Sequence, residues 1–231
     1  MKFENTEVWG FRHALRGMRN AMESWDKSDS EFGCTMNGTY QCEDCQFKNL
    51  DSERVDIGKN DMKLAQTLIK AGSADAKYLR MIHVAVDTDM PRYWWSEADT
   101  YHFNTKNSCS TMHKLLNNNK PITLDMFVIC EEDIDWWINT VNKLEAMRLE
   151  YKEIQRTTKD SKTMNRLLVR AKRMLPEGFE QMRTWDTNYA ELRNMYFQRR
   201  YHRLKEEWVD TFCRWIESLP YAKELIMYEG N

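Results

Sequence analysis

Glycine and proline are scarce in this sequence, at 8 and 4 of 231 residues. Disordered and low-complexity chains are usually richer in both, and a hydrophobic share of 42% is enough to build a core. No apolar run reaches the roughly 18–20 residues that span a bilayer, and residues 1–5 lack the apolar segment of a signal peptide. We therefore expect a cytoplasmic, globular protein with no membrane partner.

An excess of charge of one sign is also missing, because 34 basic residues nearly balance 36 acidic ones. A chain with this balance has no bulk attraction for nucleic acid, and we expect no nucleic-acid partner. An anionic ligand must then meet a local basic cluster.

Aromatic residues are abundant, at 12% with 9 tryptophans. We interpret them as core and subunit-interface packing rather than a base-stacking platform, since interleaved basic stripes are missing.

Hydrophobic periodicity predicts the elements of the fold. Helices are expected over residues 6–25, 60–72, 134–154, 164–174, 189–200 and 204–218, with a further helix opened by Pro91. Strands are expected over residues 81–86 and 180–187, and we expect these two strands to pair. The pattern indicates an α+β fold, in which a small antiparallel sheet packs with several long helices in a single domain over residues 1–231.

Residues 26–59 interrupt this pattern with Ser, Gly, Asn, Asp and three cysteines, and we interpret them as a loop or insertion. Cys34, Cys42 and Cys45 form C-x7-C-x2-C, whose C-x-x-C pair has zinc-knuckle spacing. No second pair follows. Reduced loop thiols are therefore favoured over a structural metal, and we expect no metal site.

A string of hydroxyl, amide and imidazole side chains runs over residues 100–113. Such donors suit a sugar–phosphate pocket, because each ligand oxygen needs a donor, but they also suit a solvated loop.

A second informative stretch follows the sequence Ala171-Lys172-Arg173-Met174-Leu175-Pro176. Twelve residues beyond Pro176, Asn188 opens an amphipathic helix that carries Asn194 and Arg199. Cations and carboxamides on one helix suit a phosphorylated or flat heteroaromatic ligand. The alternative is that Arg199 and Arg200 form a solvated helix end, which the macrodipole favours.

Together these stretches resemble the signature of the flavin-dependent thymidylate synthases. That family has Arg-His-Arg, then seven residues, then Ser-x-Arg-Tyr; this chain has Thr100-Tyr101-His102 and Ser110 at those positions and lacks the arginines. The family's Ala-Arg-x-x-Leu-Pro is matched from Ala171, with Lys172 in place of arginine. The Asn188, Asn194 and Arg199 positions match the family's two asparagines and arginine.

The resemblance implies a thymidylate synthase complementing protein-like fold and an enzyme that methylates C5 of a pyrimidine deoxynucleotide, dUMP to a dTMP-like product. It implies FAD as cofactor, methylenetetrahydrofolate and NADPH as co-substrates, and a homotetramer; diverged relatives in phage genomes favour a viral source.

The resemblance also implies roles for individual residues. Arg199 would be the catalytic residue that polarises the pyrimidine. The implied substrate-binding residues are Glu97, Ser108, Cys109, Ser110, Thr111 and Lys172. The implied cofactor-binding residues are Thr100, Tyr101, His102, Asn188, Asn194 and His202. The alternative is a nucleotide-binding or interaction protein of the same fold that has lost the flavin.

Overall fold

A computed structural model of the protein describes residues 1–33 and 54–230. The strands in this part of the chain are β1 Lys2–Trp9, β2 Glu31–Phe32, β3 Val55–Asp56, β4 His83–Pro91, β5 Thr105–Ser108 and β6 Glu180–Asn188. The α-helices are α1 Phe11–Gly17, α2 Lys59–Ala71, α3 Arg92–Ala98, α4 Thr111–Lys114, α5 Ile134–Arg156, α6 Ser161–Met174, α7 Tyr189–Arg199 and α8 Arg214–Glu217. The expected α+β class is confirmed. None of the described helices combines the length and the apolar character that a bilayer-spanning segment needs.

The main sheet has the strand order β1-β4-β6-β5, and β2 pairs with β3 in a separate antiparallel ribbon. β4 and β6 are neighbours, which confirms the predicted pairing of the two central strands. In β4 the side chains of Val84, Val86, Thr88 and Met90 are buried, and the residues between them are partly exposed. This alternation shows that one face of the strand packs against a core.

The chain divides into two compact units. We call the first the hairpin unit; it comprises Met1, Asp89–Thr100 and Asn107–Arg183. We call the second the aromatic unit; where the structure describes it, it comprises Lys2–Thr88, Tyr101–Lys106 and Thr184–Asn231. The expectation of a single domain over residues 1–231 stays a prediction.

Helices α5 and α6 pack against each other in the hairpin unit. The side chains of its core are largely aliphatic, and they include Leu116, Val141, Leu144, Leu167, Ala171 and Leu175. Asp160 begins α6, because its carboxylate accepts hydrogen bonds from the backbone N–H groups of Lys162 and Thr163, at 3.0 and 3.3 Å. Both predicted helices and the break between them are therefore confirmed.

Large rings form the core of the aromatic unit. The Phe212 ring centroid lies 5.2 Å from that of Trp208, 5.9 Å from Trp215 and 6.2 Å from Trp185. Trp185 and Trp208 have no exposed surface. The interpretation of these aromatic residues as core packing is confirmed.

The prediction of one helix over residues 6–25 was wrong. The chain is a strand as far as Trp9, and α1 begins only at Phe11. Gly10 separates the two with a φ of 95°, and a Cβ atom there would come within 2.0 Å of the Met81 carbonyl oxygen. Only glycine fits this left-handed turn and close approach, so the apolar spacing of Val8 and Phe11 spans a strand end and a helix start.

The two C-terminal helices are present, but the second differs from its prediction. α7 begins directly after Asn188, as predicted. The segment predicted as a helix over residues 204–218 is a π-helix over Lys205–Cys213 followed by the short α8. A π-helix differs from an α-helix in its backbone hydrogen bonds, which join residues i and i+5 instead of i and i+4, and the apolar spacing used for the prediction does not report which bond forms.

Candidate functional site

Asn188 marks the junction between β6 and α7 in the aromatic unit. Its Oδ1 accepts a hydrogen bond from the Glu191 backbone N–H at 3.0 Å, which caps the helix. Its Nδ2 donates to the Phe103 carbonyl oxygen at 3.3 Å. The carboxamide is thus buried, and both its oxygen and its nitrogen are hydrogen-bonded within the protein, so it fixes the start of α7.

Arg199, the last residue of α7, is half-buried against two aromatic side chains. Its Nε donates a hydrogen bond to the Tyr101 hydroxyl at 2.9 Å, and its guanidinium carbon lies 4.4 Å from the Trp208 ring centroid. The Tyr101 hydroxyl donates in turn to Oε1 of Gln198 at 2.9 Å. A cation–π contact and a hydrogen bond to a buried phenol hold the guanidinium in one place. The structure therefore does not support Arg199 as a solvated helix end.

His202 and Asn194 also lie in the aromatic unit. The His202 ring packs edge-on to Trp208 at 5.8 Å, and its Nδ1 accepts from the Leu204 backbone N–H at 3.2 Å. Asn194 is exposed, and its Oδ1 accepts from Nε2 of Gln198 at 2.8 Å. Asn194 lies in the middle of α7, and His202 follows the helix end that carries Arg199.

A cavity of about 430 Å³ lies beside α7. Its walls are Ile69, Gly72, Ser73, Ala76, Leu79, Arg80, Phe103, Asn188, Ala190, Glu191, Arg193 and Asn194. The cavity thus has both predicted asparagines, an aromatic ring and an aliphatic wall, a combination typical of sites for small ring-shaped ligands.

Glu191 is the group in this cavity that sequence reasoning missed. It is only 6% exposed, yet no described residue donates a hydrogen bond to its carboxylate. Burial raises the pKa of this carboxyl above its ordinary value, and the positive charges of His102, Lys106 and Arg80 oppose the rise. An acidic residue in the first turn of a helix is a common favourable feature, so its sequence position gives no signal of a ligand site.

The remaining predicted cofactor residues differ in their surroundings. Tyr101 is buried and His102 is exposed, and both belong to the aromatic unit. Thr100 is exposed in the hairpin unit, where its hydroxyl donates to the carbonyl oxygen of Glu97 at 2.7 Å. The Glu97 side chain is half-buried. Tyr101 is therefore the member of the Thr100–His102 triplet that the structure ties to Arg199.

In the hairpin unit, residues 108–111 connect β5 to α4. The Cys109 backbone N–H donates to the Met182 carbonyl oxygen at 2.9 Å. Ser110 caps α4 by accepting from the His113 backbone N–H at 3.3 Å. Ser108 and Cys109 are exposed, whereas Ser110 is half-buried. These polar side chains thus lie on an ordered turn.

Lys172 and Thr111 meet in the hairpin unit, where the ammonium group of Lys172 donates to the Thr111 hydroxyl. Burial lowers the pKa of Lys172, the nearby Arg92 guanidinium lowers it further, and Glu177 acts in the opposite direction. Arg92 itself forms a 3.0 Å ion pair with Glu177. Two cations, Lys172 and Arg92, therefore lie close together here with Glu177 beside them, and Arg92 is a member of this group that the sequence did not single out.

The three cysteines of the insertion, Cys34, Cys42 and Cys45, lie outside the described residues. Within residues 1–33 and 54–230, no group of His, Cys, Asp or Glu side chains could hold a metal ion.

Two crystal structures of the flavin-dependent thymidylate synthase ThyX from Helicobacter pylori, both complexed with FAD and dUMP, are similar to this chain. Both are 15% identical to it, with TM-scores of 0.65 and 0.66. The first match covers 99% of this chain and 98% of the other, and the second covers 98% and 97%. No protein-family profile and no curated protein matches the sequence. The chain therefore has the fold of the flavin-dependent thymidylate synthases, as the resemblance implied.

Proposed function

We propose that this protein binds a pyrimidine deoxynucleotide and a flavin and alkylates the pyrimidine at C5, with dUMP as the substrate and a dTMP-like product. Its co-substrates would be methylenetetrahydrofolate and NADPH, and it would act as a homotetramer. The shared fold supports this proposal, and the fixed guanidinium of Arg199 is the observation that carries it.

The proposed role of Arg199 follows from charge. C5 of a pyrimidine is a weak nucleophile, and it becomes reactive towards an electrophile when enolate charge is built up on the exocyclic oxygen O4 or O2. A guanidinium held by Trp208 and Tyr101 would stabilise that charge without reorganising, which is the most effective form of electrostatic catalysis. A mobile surface arginine would lose much of this effect to solvent.

The residues around the cavity suit the flat ring of a flavin in chemical character. Asn188 and Asn194 both line it, and Phe103 and the aliphatic side chains offer flat apolar walls. These two asparagines, with Tyr101, Thr100, His102 and His202, are the residues we propose to hold FAD. When bound and reduced, a flavin supplies hydride, and in the related family it also carries the one-carbon unit.

We propose that Lys172 and Thr111 bind the phosphate of the nucleotide, with Arg92 adding positive charge. An ammonium and a hydroxyl that already contact each other are donors prepared for a phosphate oxygen. Glu97, Ser108, Cys109 and Ser110 would complete the substrate contacts.

A nucleotide-binding protein that has lost the flavin is the second candidate. Two observations favour it: the Asn188 carboxamide already has partners at both ends, and Glu191 adds a buried carboxylate to the cavity. The Arg-His-Arg identities are also absent at Thr100–His102.

The two candidates separate on reconstitution with FAD. We expect the purified protein, incubated with FAD and desalted, to keep a stoichiometric flavin that is visible by its absorbance. It should then convert dUMP when given methylenetetrahydrofolate and NADPH. A colourless protein that still binds dUMP would establish the second candidate instead.

The same assay tests the role of Arg199. We expect Arg199→Gln to lower kcat by about 100- to 1000-fold, as removal of one charge-stabilising donor does in other enzymes. Arg200→Gln is the matched control, because the neighbouring Arg200 forms an ion pair with Glu229. Equal losses in the two variants would contradict the proposed role.

A further inference from the structure

Four side chains around the C-terminal half of α7 form one chain of hydrogen bonds. Nε of Arg199 donates to the Tyr101 hydroxyl oxygen at 2.9 Å, and this hydroxyl donates to Oε1 of Gln198 at 2.9 Å. Nε2 of Gln198 donates in turn to Oδ1 of Asn194 at 2.8 Å. All four residues belong to the aromatic unit, and Asn194 lines the cavity. Hydrogen bonds between side chains thus join the guanidinium to the cavity.

The direction of this chain of hydrogen bonds is fixed at the arginine. A guanidinium has donors and no acceptor, so the Tyr101 oxygen must accept from it. The hydroxyl hydrogen is then left for Gln198, and the atom of Gln198 that meets it is the carbonyl oxygen. The reverse orientation of this carboxamide would direct two donors at one phenol oxygen and leave the hydroxyl hydrogen without an acceptor among the described residues. The amide nitrogen of Gln198 consequently faces Asn194.

The carboxamide of Asn194 is oriented by the same reasoning. Its oxygen accepts from Gln198, which lies one helical turn further along α7 and therefore on the same face. Its amide nitrogen points away from Gln198, and no residue in the described part of the chain accepts from it. Asn188, the other asparagine of the cavity, differs because its Nδ2 already donates to the Phe103 carbonyl oxygen. Of the two, Asn194 is the one that can offer N–H donors to a ligand.

We propose that Gln198 is a positioning residue of this cavity. It transmits the donor direction set by Arg199 through Tyr101 to Asn194, and it thereby fixes the Asn194 amide nitrogen as a donor towards the ligand. The ligand then needs an acceptor, a carbonyl oxygen or a ring nitrogen with a lone pair, at the edge that faces Asn194. An isoalloxazine ring has acceptors of both kinds. This consequence for binding rests on the proposed flavin site, whereas the order of the hydrogen bonds does not.

The orientation of an asparagine matters because the two ends of its carboxamide are similar in shape and opposite in hydrogen bonding. The Asn194 side chain is exposed, so packing alone does not hold its amide in one orientation. Without a partner it could present either its oxygen or its nitrogen, and binding would have to select one of them. Gln198 makes this selection before the ligand arrives, which lowers the cost of binding.

The order of the hydrogen bonds is tested on the ligand-free, full-length protein by NMR of the side-chain amide groups. Gln198→Met and Asn194→Asp identify the signals of the two carboxamides by their loss. We expect Tyr101→Phe, which removes the hydroxyl, to shift the Asn194 amide signals, although Tyr101 and Asn194 share no direct hydrogen bond. The same substitution in a Gln198→Met background should leave the Asn194 signals in place, because the connection is already broken.

Tyr201→Phe is the matched control for the tyrosine substitution. Tyr201 lies just beyond the end of α7, but its side chain is 85% exposed. It should leave the Asn194 signals unchanged. Circular dichroism and a thermal melt establish that every variant folds.

FAD binding tests the consequence for the ligand. We expect Gln198→Met to raise the dissociation constant for FAD about 3- to 10-fold, as the loss of one hydrogen bond implies. Quenching of FAD fluorescence measures it. Gln66→Met is the matched control, since Gln66 lies in α2 of the same unit and is not among the residues that line the cavity.

The proposal is overturned if Tyr101→Phe leaves the Asn194 signals in place, or if it shifts them equally in the Gln198→Met background. It is also overturned if Gln198→Met binds FAD as tightly as the parent protein. A parent protein that binds no FAD would refute the proposed flavin chemistry, and the NMR comparison would then decide this inference by itself. Retention of FAD with unchanged Asn194 signals would do the reverse.

Discussion

Asp61 and Glu191 are both buried carboxylates of the aromatic unit, and their surroundings are opposite. Asp61 has no exposed surface, and its oxygens accept from Nε of Arg19 at 2.6 Å and from the hydroxyls of Ser28 and Ser30 at 2.7 and 2.6 Å. Glu191 is almost as deeply buried and accepts from no described residue.

The difference appears in the direction of the two pKa shifts. Burial alone would raise the pKa of Asp61, but the hydrogen bonds from Ser30, Ser28 and Arg19 outweigh it and lower the pKa. For Glu191, burial dominates and the pKa is raised. A carboxylate with a full set of donors holds a fold together, whereas one without donors in a cavity is a cost that a ligand can offset.

Removing the carboxylate of Asp61, which has a full set of hydrogen-bond donors, should have the largest effect on stability. We expect Asp61→Ala to lower the free energy of unfolding by about 3–5 kcal/mol, because Arg19 is left as a buried charge without its partner. Urea denaturation measures the change. Asp26→Ala removes an exposed carboxylate of the neighbouring turn and should leave the midpoint nearly unchanged. A loss below 1 kcal/mol for Asp61→Ala would contradict the assigned structural role.

Glu145, in the hairpin unit, is a third carboxylate for this comparison, because it is hydrogen-bonded like Asp61 but more exposed. Glu145 accepts from Nε and Nη2 of Arg148 at 2.8 and 2.6 Å and from the Ile122 backbone N–H at 2.8 Å. We expect Glu145→Gln to cost about 2 kcal/mol, since the largely buried Arg148 loses a charge-assisted bond.

Glu153→Gln provides the control for that measurement. Glu153 and Arg156 have the same i,i+3 spacing, but both side chains are exposed. Exposed pairs contribute little, so the chemical denaturation midpoint should not move measurably. Similar losses in the two variants would show that burial does not set the strength of these pairs.

How much of this could be predicted from sequence depends on the range of the interactions. Local signals were sufficient for the α5–α6 break at Asp160 and for the start of α7 after Asn188, because a capping side chain bonds to backbone two or three residues away. The β4–β6 pairing followed from strand pattern. Gly10 was missed because the Met81 carbonyl oxygen that leaves no room for a side chain there comes from a residue 71 positions further along the chain.

The same distinction between local and long-range interactions applies to the candidate site. The spacing of Asn188, Asn194 and Arg199 placed all three on α7 or at its start, but Trp208 and Tyr101 as the partners of the guanidinium are visible only in the fold. The burial of Glu191 had no sequence signal, since it is created by side chains from distant segments. The roles assigned to the site residues stay predictions.

Substitution of Glu191, to which no described residue donates a hydrogen bond, should change the free energy of unfolding in the opposite direction. We expect Glu191→Gln to raise the free energy of unfolding of the ligand-free protein by about 1 kcal/mol at neutral pH, because it removes a largely buried charge to which no described residue donates a hydrogen bond. Urea denaturation of the variant and the parent protein measures this gain. Destabilisation instead would mean that Glu191 is a structural acceptor like Asp61.

The smallest effect is the pH dependence of the stability difference between each variant, Asp61→Ala or Glu191→Gln, and the parent protein. It also distinguishes the two carboxylates most directly. A raised pKa in the folded state means that the ionised form of Glu191 is penalised, so the stability gap between Glu191→Gln and the parent should close as the pH falls towards the ordinary value of 4.5. A lowered pKa means that the contribution of Asp61 persists down to its ordinary value of 3.8 and is lost only below it. His102, Arg80 and Lys106 all act on the charge of Glu191, so the measurement is repeated in a His102→Asn background. We expect unfolding curves between neutral pH and the lower limit of folding to show the Glu191 gap closing first. Closure of both gaps at the same pH would remove the distinction between a carboxylate with a full set of donors and one to which no described residue donates.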